Sequence, residues 1–113
     1  MHPILSVRFY RSATDSEPVL DWLLEQVSPA ARKAIGADIK TVQFGWPIGM
    51  PVVRKLESGL WEVRSHIPEG IARVLFTVAG ARMVLLHGFV KKTQATPKAD
   101  LALAILRLKE ARG

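Results

Sequence analysis

Cysteine is absent from this sequence of 113 residues. Its absence excludes a disulfide framework, a thiolate zinc site and a thiol nucleophile, and it is compatible with a reducing cytoplasm. The three histidines, His2, His66 and His87, have no second histidine or carboxylate at the helical spacing of a zinc motif. We therefore predict no metal site.

Several other signatures are missing. No apolar run approaches the roughly 18 residues of a membrane span, and the first residues lack the apolar core of a signal peptide. Neither GxxxxGK[ST] nor GxGxxG occurs, and no serine lies in GxSxG. We expect a cytoplasmic protein without a membrane segment or a cofactor.

Positive charge is concentrated in the second half of the chain. Residues 1–53 carry five basic and five acidic side chains, whereas residues 54–113 carry eleven basic and five acidic ones. The net charge of +6 therefore arises entirely from the second half. A basic surface restricted to one region favours a polyanionic partner, with nucleic acid first.

The composition predicts one packed domain over residues 1–113, since 49% of the residues are hydrophobic and 23% are charged. Residues 4–10 are rich in β formers and predict a first strand. Apolar positions at helical spacing then predict a helix from Pro18 to Val27. Ser28 and Pro29 begin a second helix that ends by Gly45.

The second half predicts mainly β structure. We expect a short strand at 54–56 and longer strands at 60–67, 71–78 and 82–90, before a last helix that Thr96 caps. The predicted order is β-α-α-β-β-β-α. This is an α+β domain with a small, mostly antiparallel twisted sheet, a helical hairpin and a C-terminal helix, with the helices on one face.

Basic side chains recur on these strands. Arg64 and His66 alternate with apolar residues on one strand, and Arg73 lies among apolar neighbours on the next. Such a cluster can bind phosphate or stabilise negative charge in a transition state. Alternatively, Arg73 pairs with Glu62 across the hairpin and the lysines are simply solvated. The other candidates are Arg54, Lys55, Lys91, Lys92 and Lys98.

Three segments resemble a known family: GLWEVR at 59–64, GIARVLF at 70–76 and LLHGFVKKTQATP at 85–97. They are similar to the phage-derived branch of the RelE/HigB toxins of type II toxin–antitoxin systems. The last segment is the most specific, because paired lysines, Thr and Pro lead from the last strand into a terminal helix. The early strand and the helical hairpin also fit, so the resemblance covers essentially the whole chain.

The resemblance implies a RelE-like fold and a ribosome-dependent, metal-free mRNA endonuclease that inhibits translation. In that chemistry the RNA 2′-hydroxyl attacks the adjacent phosphate, and the products are a 2′,3′-cyclic phosphate and a 5′-hydroxyl. It further implies a cognate antitoxin that neutralises the basic surface and that forms a hetero-oligomer with the toxin. A small helix-turn-helix protein encoded next door would fit this role.

The resemblance assigns Arg73 to the phosphate, and Lys91 and Lys92 to the scissile phosphate or ribosomal RNA. Arg64 and His66 correspond to basic residues on the preceding strand, and His66 is a candidate proton carrier because histidine exchanges protons near neutral pH. Arg54, Lys55 and Lys98 are expected to contact RNA.

One feature departs from the family. Several members place a tyrosine after the last strand, whereas the single tyrosine here is Tyr10 in the first strand. This leaves two alternatives open, a ParE-like toxin that inhibits gyrase without cutting RNA and a non-catalytic nucleic-acid-binding module.

The three tryptophans are predicted to have structural roles. Trp22 and Trp61 are expected in the core. Trp46, beside two prolines, either covers the edge of the core or stacks on a base, and we favour the first.

Overall fold

Eight segments of secondary structure follow one another in a computed structural model that describes residues 2–91 and 95–112. The three helices are α1 (Pro18–Glu25), α2 (Pro29–Gly45) and α3 (Lys98–Arg112). The five strands are β1 (Ser6–Phe9), β2 (Val53–Glu57), β3 (Leu60–Ile67), β4 (Gly70–Ala79) and β5 (Arg82–Lys91).

The strands form one sheet in the order β1-β5-β4-β3-β2. Strand β1 is parallel to β5, and the other three pairings are antiparallel. The α+β class and the mostly antiparallel sheet are therefore confirmed. The short segment predicted at 54–56 is a full strand, so four strands rather than three follow the helical hairpin.

The helical hairpin is held by polar contacts at its tight turn. The Ser28 hydroxyl accepts a hydrogen bond from the Ala31 amide, which confirms Ser28 as the cap of α2. Arg32 donates hydrogen bonds to the carbonyls of Leu23, Leu24 and Val27 at the end of α1. These bonds satisfy carbonyls that a helix end otherwise leaves without partners.

One core lies between the helical hairpin and the sheet. Its buried side chains include Val19, Ile35, Val42, Val74 and Phe76. The rings of Trp46 and Trp61 meet edge to face with centroids 5.0 Å apart, and both rings pack against Phe76. Trp46 thus covers the edge of the core, as predicted.

A second core lies on the opposite face of the sheet, beneath α3. It contains Tyr10, Leu75, Leu86, Ala104 and Leu108. The expectation that all helices share one face was wrong. The physical reason is that β4 is buried on both of its faces from Ala72 to Thr77, so each face of the sheet needs a helical cover.

The terminal helix begins at Lys98, slightly later than the predicted Thr96–Pro97 start. Arg107 Nη1 donates to the Leu86 carbonyl at 2.9 Å, and Arg112 Nη2 donates to the Thr77 hydroxyl at 3.3 Å. These bonds attach α3 to the sheet along its length. None of the helices among residues 2–91 and 95–112 is long and apolar enough to span a membrane.

An irregularity in β5 decides which of its side chains face α3. Phe76 pairs with Leu85, but the preceding residue, Leu75, pairs with His87, so that Leu86 is an extra residue. A β-bulge of this kind shifts the alternation of the strand by one. As a result Phe89 packs in the core beneath α3, although Leu85 belongs to the core of the helical hairpin.

Candidate functional site

A group of charged and aromatic side chains lies on the α3-facing side of the sheet, near the start of that helix. The strand registers place Arg64 directly opposite Arg73, and Arg73 directly opposite Phe89. One row farther along, His66 is opposite Ile71, which is opposite Lys91. We call this group the basic face. Its members are Arg54, Glu62, Arg64, His66, Arg73, His87, Phe89 and Lys91.

Arg73 and Arg64 are the centre of the basic face. Arg73 is fully buried, and the Arg64 side chain is 10% exposed. Like charges directly opposite each other on neighbouring strands are unfavourable. Arg64 can nevertheless donate its N–H groups to the oxygens of a phosphate, while the buried Arg73 acts on that phosphate through its charge.

Glu62 supplies negative charge within this cluster. Its side chain is fully buried, and it is the one buried carboxylate among residues 2–91 and 95–112. Thr96 Oγ1 donates a hydrogen bond of 2.9 Å to Glu62 Oε2, and Arg64 Nε lies 3.8 Å from Glu62 Oε1. In the sheet Glu62 also pairs with Arg54. Through Thr96 this carboxylate therefore joins β3 to the segment that leads into α3.

These surroundings act on the ionisation of Arg73. Burial lowers the pKa of Arg73, while the charge of Glu62 raises it and the charges of Arg64 and Arg54 lower it further. An arginine nonetheless remains protonated in proteins at neutral pH. The alternative pairing of Arg73 with Glu62 is thus present as an electrostatic interaction, although Glu62 lies directly opposite Leu75 and not opposite Arg73.

A histidine–carboxylate pair borders the basic face. His87 Nε2 and Asp100 Oδ1 are 2.6 Å apart, and the pair joins β5 to the first turn of α3. The His87 ring also stacks on Phe89 with centroids 5.5 Å apart. The carboxylate fixes the orientation of the imidazole, in the arrangement that positions histidine for proton transfer.

The predicted site residues separate into three groups. Arg54, Arg64, His66, Arg73 and Lys91 come together on the basic face. Lys55 does not, because it pairs with Trp61, whose ring packs in the core of the helical hairpin. Lys98 is exposed at the start of α3. Lys92 lies outside the described residues.

Glu62, Thr96, His87 and Asp100 complete the arrangement but were not among the predicted site residues. The signal for Glu62 was its alternation with Arg64 and His66 on one strand. Nothing in the sequence links His87 to Asp100, which lie thirteen positions apart on different elements. Within the described parts of the chain, no three His, Cys, Asp or Glu side chains form a group that could hold a metal ion.

Comparison with known proteins places this chain in a family. A family model described as "Phage derived protein Gp49-like (DUF891)" matches residues 21–109. The chain belongs to that family. The match runs from α1 into α3 and includes every residue of the basic face.

Named relatives support the same assignment. The proteins called "Probable endoribonuclease HigB1" from two Mycobacterium tuberculosis strains, CDC 1551 / Oshkosh and ATCC 25618 / H37Rv, are each 28% identical over 102 residues. The aligned region covers 90% of this chain and 81% of each relative. Together with the family match, these relatives confirm the resemblance to HigB/RelE-type toxins.

Proposed function

We propose that this Gp49-like protein is the toxin of a toxin–antitoxin pair and that it cleaves mRNA bound to the ribosome. The observation that carries the proposal is the cross-strand pair of Arg64 and Arg73 on the basic face. The names of the relatives, which describe probable endoribonucleases, support the same reaction class. The absence of a predicted membrane span in the sequence fits action in the cytoplasm.

The reaction needs no group beyond amino-acid side chains. The 2′-oxygen of a ribose forms a bond to the adjacent phosphorus while the bond from phosphorus to the 5′-oxygen of the next nucleotide breaks. A base accepts the proton of the 2′-hydroxyl, and an acid donates a proton to the leaving 5′-oxygen. Arg73 and Arg64 neutralise the charge that develops on the phosphate. The products are a 2′,3′-cyclic phosphate and a 5′-hydroxyl.

His66 and His87 are the two candidates for the residue that transfers protons. His66 is exposed at the end of β3, where it can meet RNA without rearrangement. His87 is oriented by Asp100 and stacks on Phe89, which is directly opposite Arg73. We assign the proton carrier to His87, since an oriented imidazole beside the arginines fulfils the geometric requirement. His66 then contacts RNA, together with Lys91, Lys92, Arg54 and Lys98.

The basic face also fits the antitoxin. An acidic segment lying on this face would pair with the exposed Lys91 and block access to Arg64. The toxin and the antitoxin would then form a hetero-oligomer, with the antitoxin encoded beside the toxin.

One observation favours a second function, a toxin that inhibits gyrase without cutting RNA. Tyr10 is buried beneath α3, where the guanidinium of Arg107 lies 5.4 Å from its ring centroid. Among the described residues, therefore, no tyrosine reaches the basic face to stack on a base or to move a proton.

Induction of the gene in cells without the antitoxin separates the two functions. We expect new mRNA 5′ ends within minutes, and their loss in an Arg73→Met variant. The matched control is Arg82→Met, because Arg82 is exposed at the other end of the sheet. Circular dichroism would verify that both variants fold. Growth arrest with intact mRNA and induced DNA breaks would contradict the nuclease and support the gyrase inhibitor.

A further inference from the structure

A cleft of about 380 Å³ lies beside the basic face, where β5 projects beyond its neighbour β1. Strand β1 pairs only with residues 82–85, so in the described part of the chain no strand covers the outer edge of residues 87–91. The helix α1 forms one wall and the start of α3 forms the other. The lining includes Trp22, Gln26, Gly88, Phe89, Lys91 and Asp100.

Glycine at position 88 brings an aromatic ring against the floor of this cleft. A Cβ atom at Gly88 would lie 2.4 Å from Cε3 and 2.5 Å from Cζ3 of Trp22, closer than carbon atoms can approach. Only glycine therefore allows the indole to rest on the β5 backbone. The consequence is an aromatic wall held at a fixed position beside the strand that carries Phe89 and Lys91.

Polar groups surround this aromatic wall. The exposed Gln26 has both a donor and an acceptor on its carboxamide, and Lys91 carries an ammonium group. Asp100 uses Oδ1 to bind His87, and its carboxylate retains further acceptor capacity. A cleft that combines an aromatic wall with convergent polar groups can hold a small polar ligand, and its volume lies within the roughly 300–1,000 Å³ that is usual for such sites.

The cleft is continuous with the basic face, because Phe89, Lys91 and Asp100 border both. Side chains two residues apart on a strand are separated by about 6.8 Å, so Lys91 lies one such step beyond Phe89. RNA-binding proteins commonly stack unpaired bases on aromatic rings and read their edges with hydrogen bonds. A nucleic-acid chain with a phosphate on the basic face beside the exposed Lys91 would thus bring a neighbouring base to the cleft.

We propose that this cleft binds one unpaired RNA base next to the scissile phosphate, with Trp22 as the stacking wall and Gln26 as a reader of the base edge. The inference rests on the proposed RNA-cleaving function. It adds a base-binding subsite formed by α1, an element that lies outside the basic face.

Fluorine NMR of protein labelled with 5-fluorotryptophan provides the test. The three resonances are assigned from Trp→Phe variants, and the wild-type protein is titrated with a short 2′-O-methyl RNA that cannot be cleaved. We expect the Trp22 resonance to shift in proportion to saturation, while those of Trp46 and Trp61, on the core side, stay in place. Fluorescence anisotropy on the same RNA measures binding independently.

Two controls sharpen the result. The same RNA with abasic riboses should bind through its phosphates but leave the Trp22 resonance unmoved. Gln26→Ala should weaken binding of the intact RNA by about threefold to tenfold and leave binding of the abasic RNA unchanged. Thr41→Ala replaces an exposed, uncharged side chain on α2 and should change the binding of neither the intact RNA nor the abasic RNA.

Each outcome has a distinct meaning. RNA binding without a Trp22 response, or an equal response to abasic RNA, would overturn the base subsite but leave the nuclease proposal standing. A Trp22 response together with intact mRNA in induced cells would support the subsite and contradict the nuclease. Absence of RNA binding at low salt would contradict both.

Discussion

The two faces of the sheet are built for different purposes. The face beneath the helical hairpin is filled with aliphatic and aromatic side chains, among them Val74, Phe76 and Met83. The face beneath α3 is apolar at one end, where Leu75 and Leu86 are buried, and charged at the other. Strands β4 and β5 therefore contribute hydrophobic stabilisation on the face beneath the helical hairpin. On the face beneath α3 they contribute concentrated positive charge.

The difference between the two faces indicates that the charged end of the face beneath α3 lowers the stability of the fold. Burying a charged guanidinium removes it from water, and that desolvation is costly unless the charge is paired and hydrogen-bonded. Arg73 is fully buried and lies opposite a second arginine. The charge of Glu62 offsets part of that cost, and the apolar face must supply the rest. Substitutions on the two faces should consequently have separable effects on folding and on activity.

The largest expected effect on stability comes from the apolar face. Phe76→Ala should lower the free energy of unfolding by about 3–5 kcal/mol, because it removes a fully buried ring that supports both Trp46 and Trp61. Urea denaturation followed by tryptophan fluorescence measures the change. Leu106→Ala is the control, since Leu106 is 56% exposed and should change stability by less than about 0.5 kcal/mol. Equal losses in the two variants would contradict the importance assigned to this core.

The next effect is on activity and belongs to the charged face. His87→Gln should reduce mRNA cleavage by about 10²- to 10⁴-fold, since it removes the proposed proton carrier. RNA binding should stay unchanged, because the arginines remain. Primer extension on ribosome-bound mRNA gives the rate.

The matched control for His87 is His66→Gln, the same change at the exposed histidine of β3. It should reduce cleavage by less than about tenfold. If His66→Gln causes the large loss of cleavage and His87→Gln the small one, the proton carrier is His66. Asp100→Asn, which alters the orienting group, should also reduce the rate of cleavage, by less than His87→Gln does.

Much of the fold could be predicted from the sequence, because the local signals agree with the elements that form. The cap at Ser28, the helical spacing in α1 and the alternation along β3 all predicted the observed elements. The predicted alternation placed Arg64 and His66 on one face of β3 and the apolar Trp61 and Val63 on the other face, as observed. The family resemblance supplied Lys91 and Arg73 as partners in one site.

The rest of the site depends on long-range geometry. Simple alternation from Met83 and Leu85 would direct His87 and Phe89 toward the helical hairpin. The extra residue at Leu86 reverses this and places them beside Arg73. The residues around the bulge, from Met83 to Leu86, are all apolar, so composition contains no signal for it. The His87–Asp100 pair could not be predicted because it requires both the bulge and α3 on that face.

A smaller effect tests the charge balance of the basic face. Glu62→Gln should keep the hydrogen bond from Thr96, since the carboxamide oxygen still accepts, but it removes the negative charge among the arginines. We expect a loss of about 1–3 kcal/mol in the free energy of unfolding. Sulfate or a short RNA should restore more stability to this variant than to the wild type.

Glu57→Gln is the control for Glu62→Gln, because Glu57 is exposed at the end of β2. Thermal unfolding at a series of sulfate concentrations measures both variants. An equal response to sulfate in wild type and Glu62→Gln would contradict the role assigned to Glu62 in balancing the charge of the arginines.

The smallest effect concerns the apolar end of the α3 face and appears only in alkali. Burial and a hydrogen bond to Glu110 raise the pKa of Tyr10, and Arg107 partly opposes the shift. The folded state therefore favours the neutral phenol. Its contribution to stability is fully present below about pH 10, the ordinary pKa of tyrosine, and is lost as the pH rises through the higher folded value. Tyr10→Phe should remove this part of the alkaline decline in stability, as measured by urea denaturation of both proteins across that range. A decline of the same slope in both proteins would place its origin in other groups, and Tyr10 would then be an ordinary member of the core beneath α3.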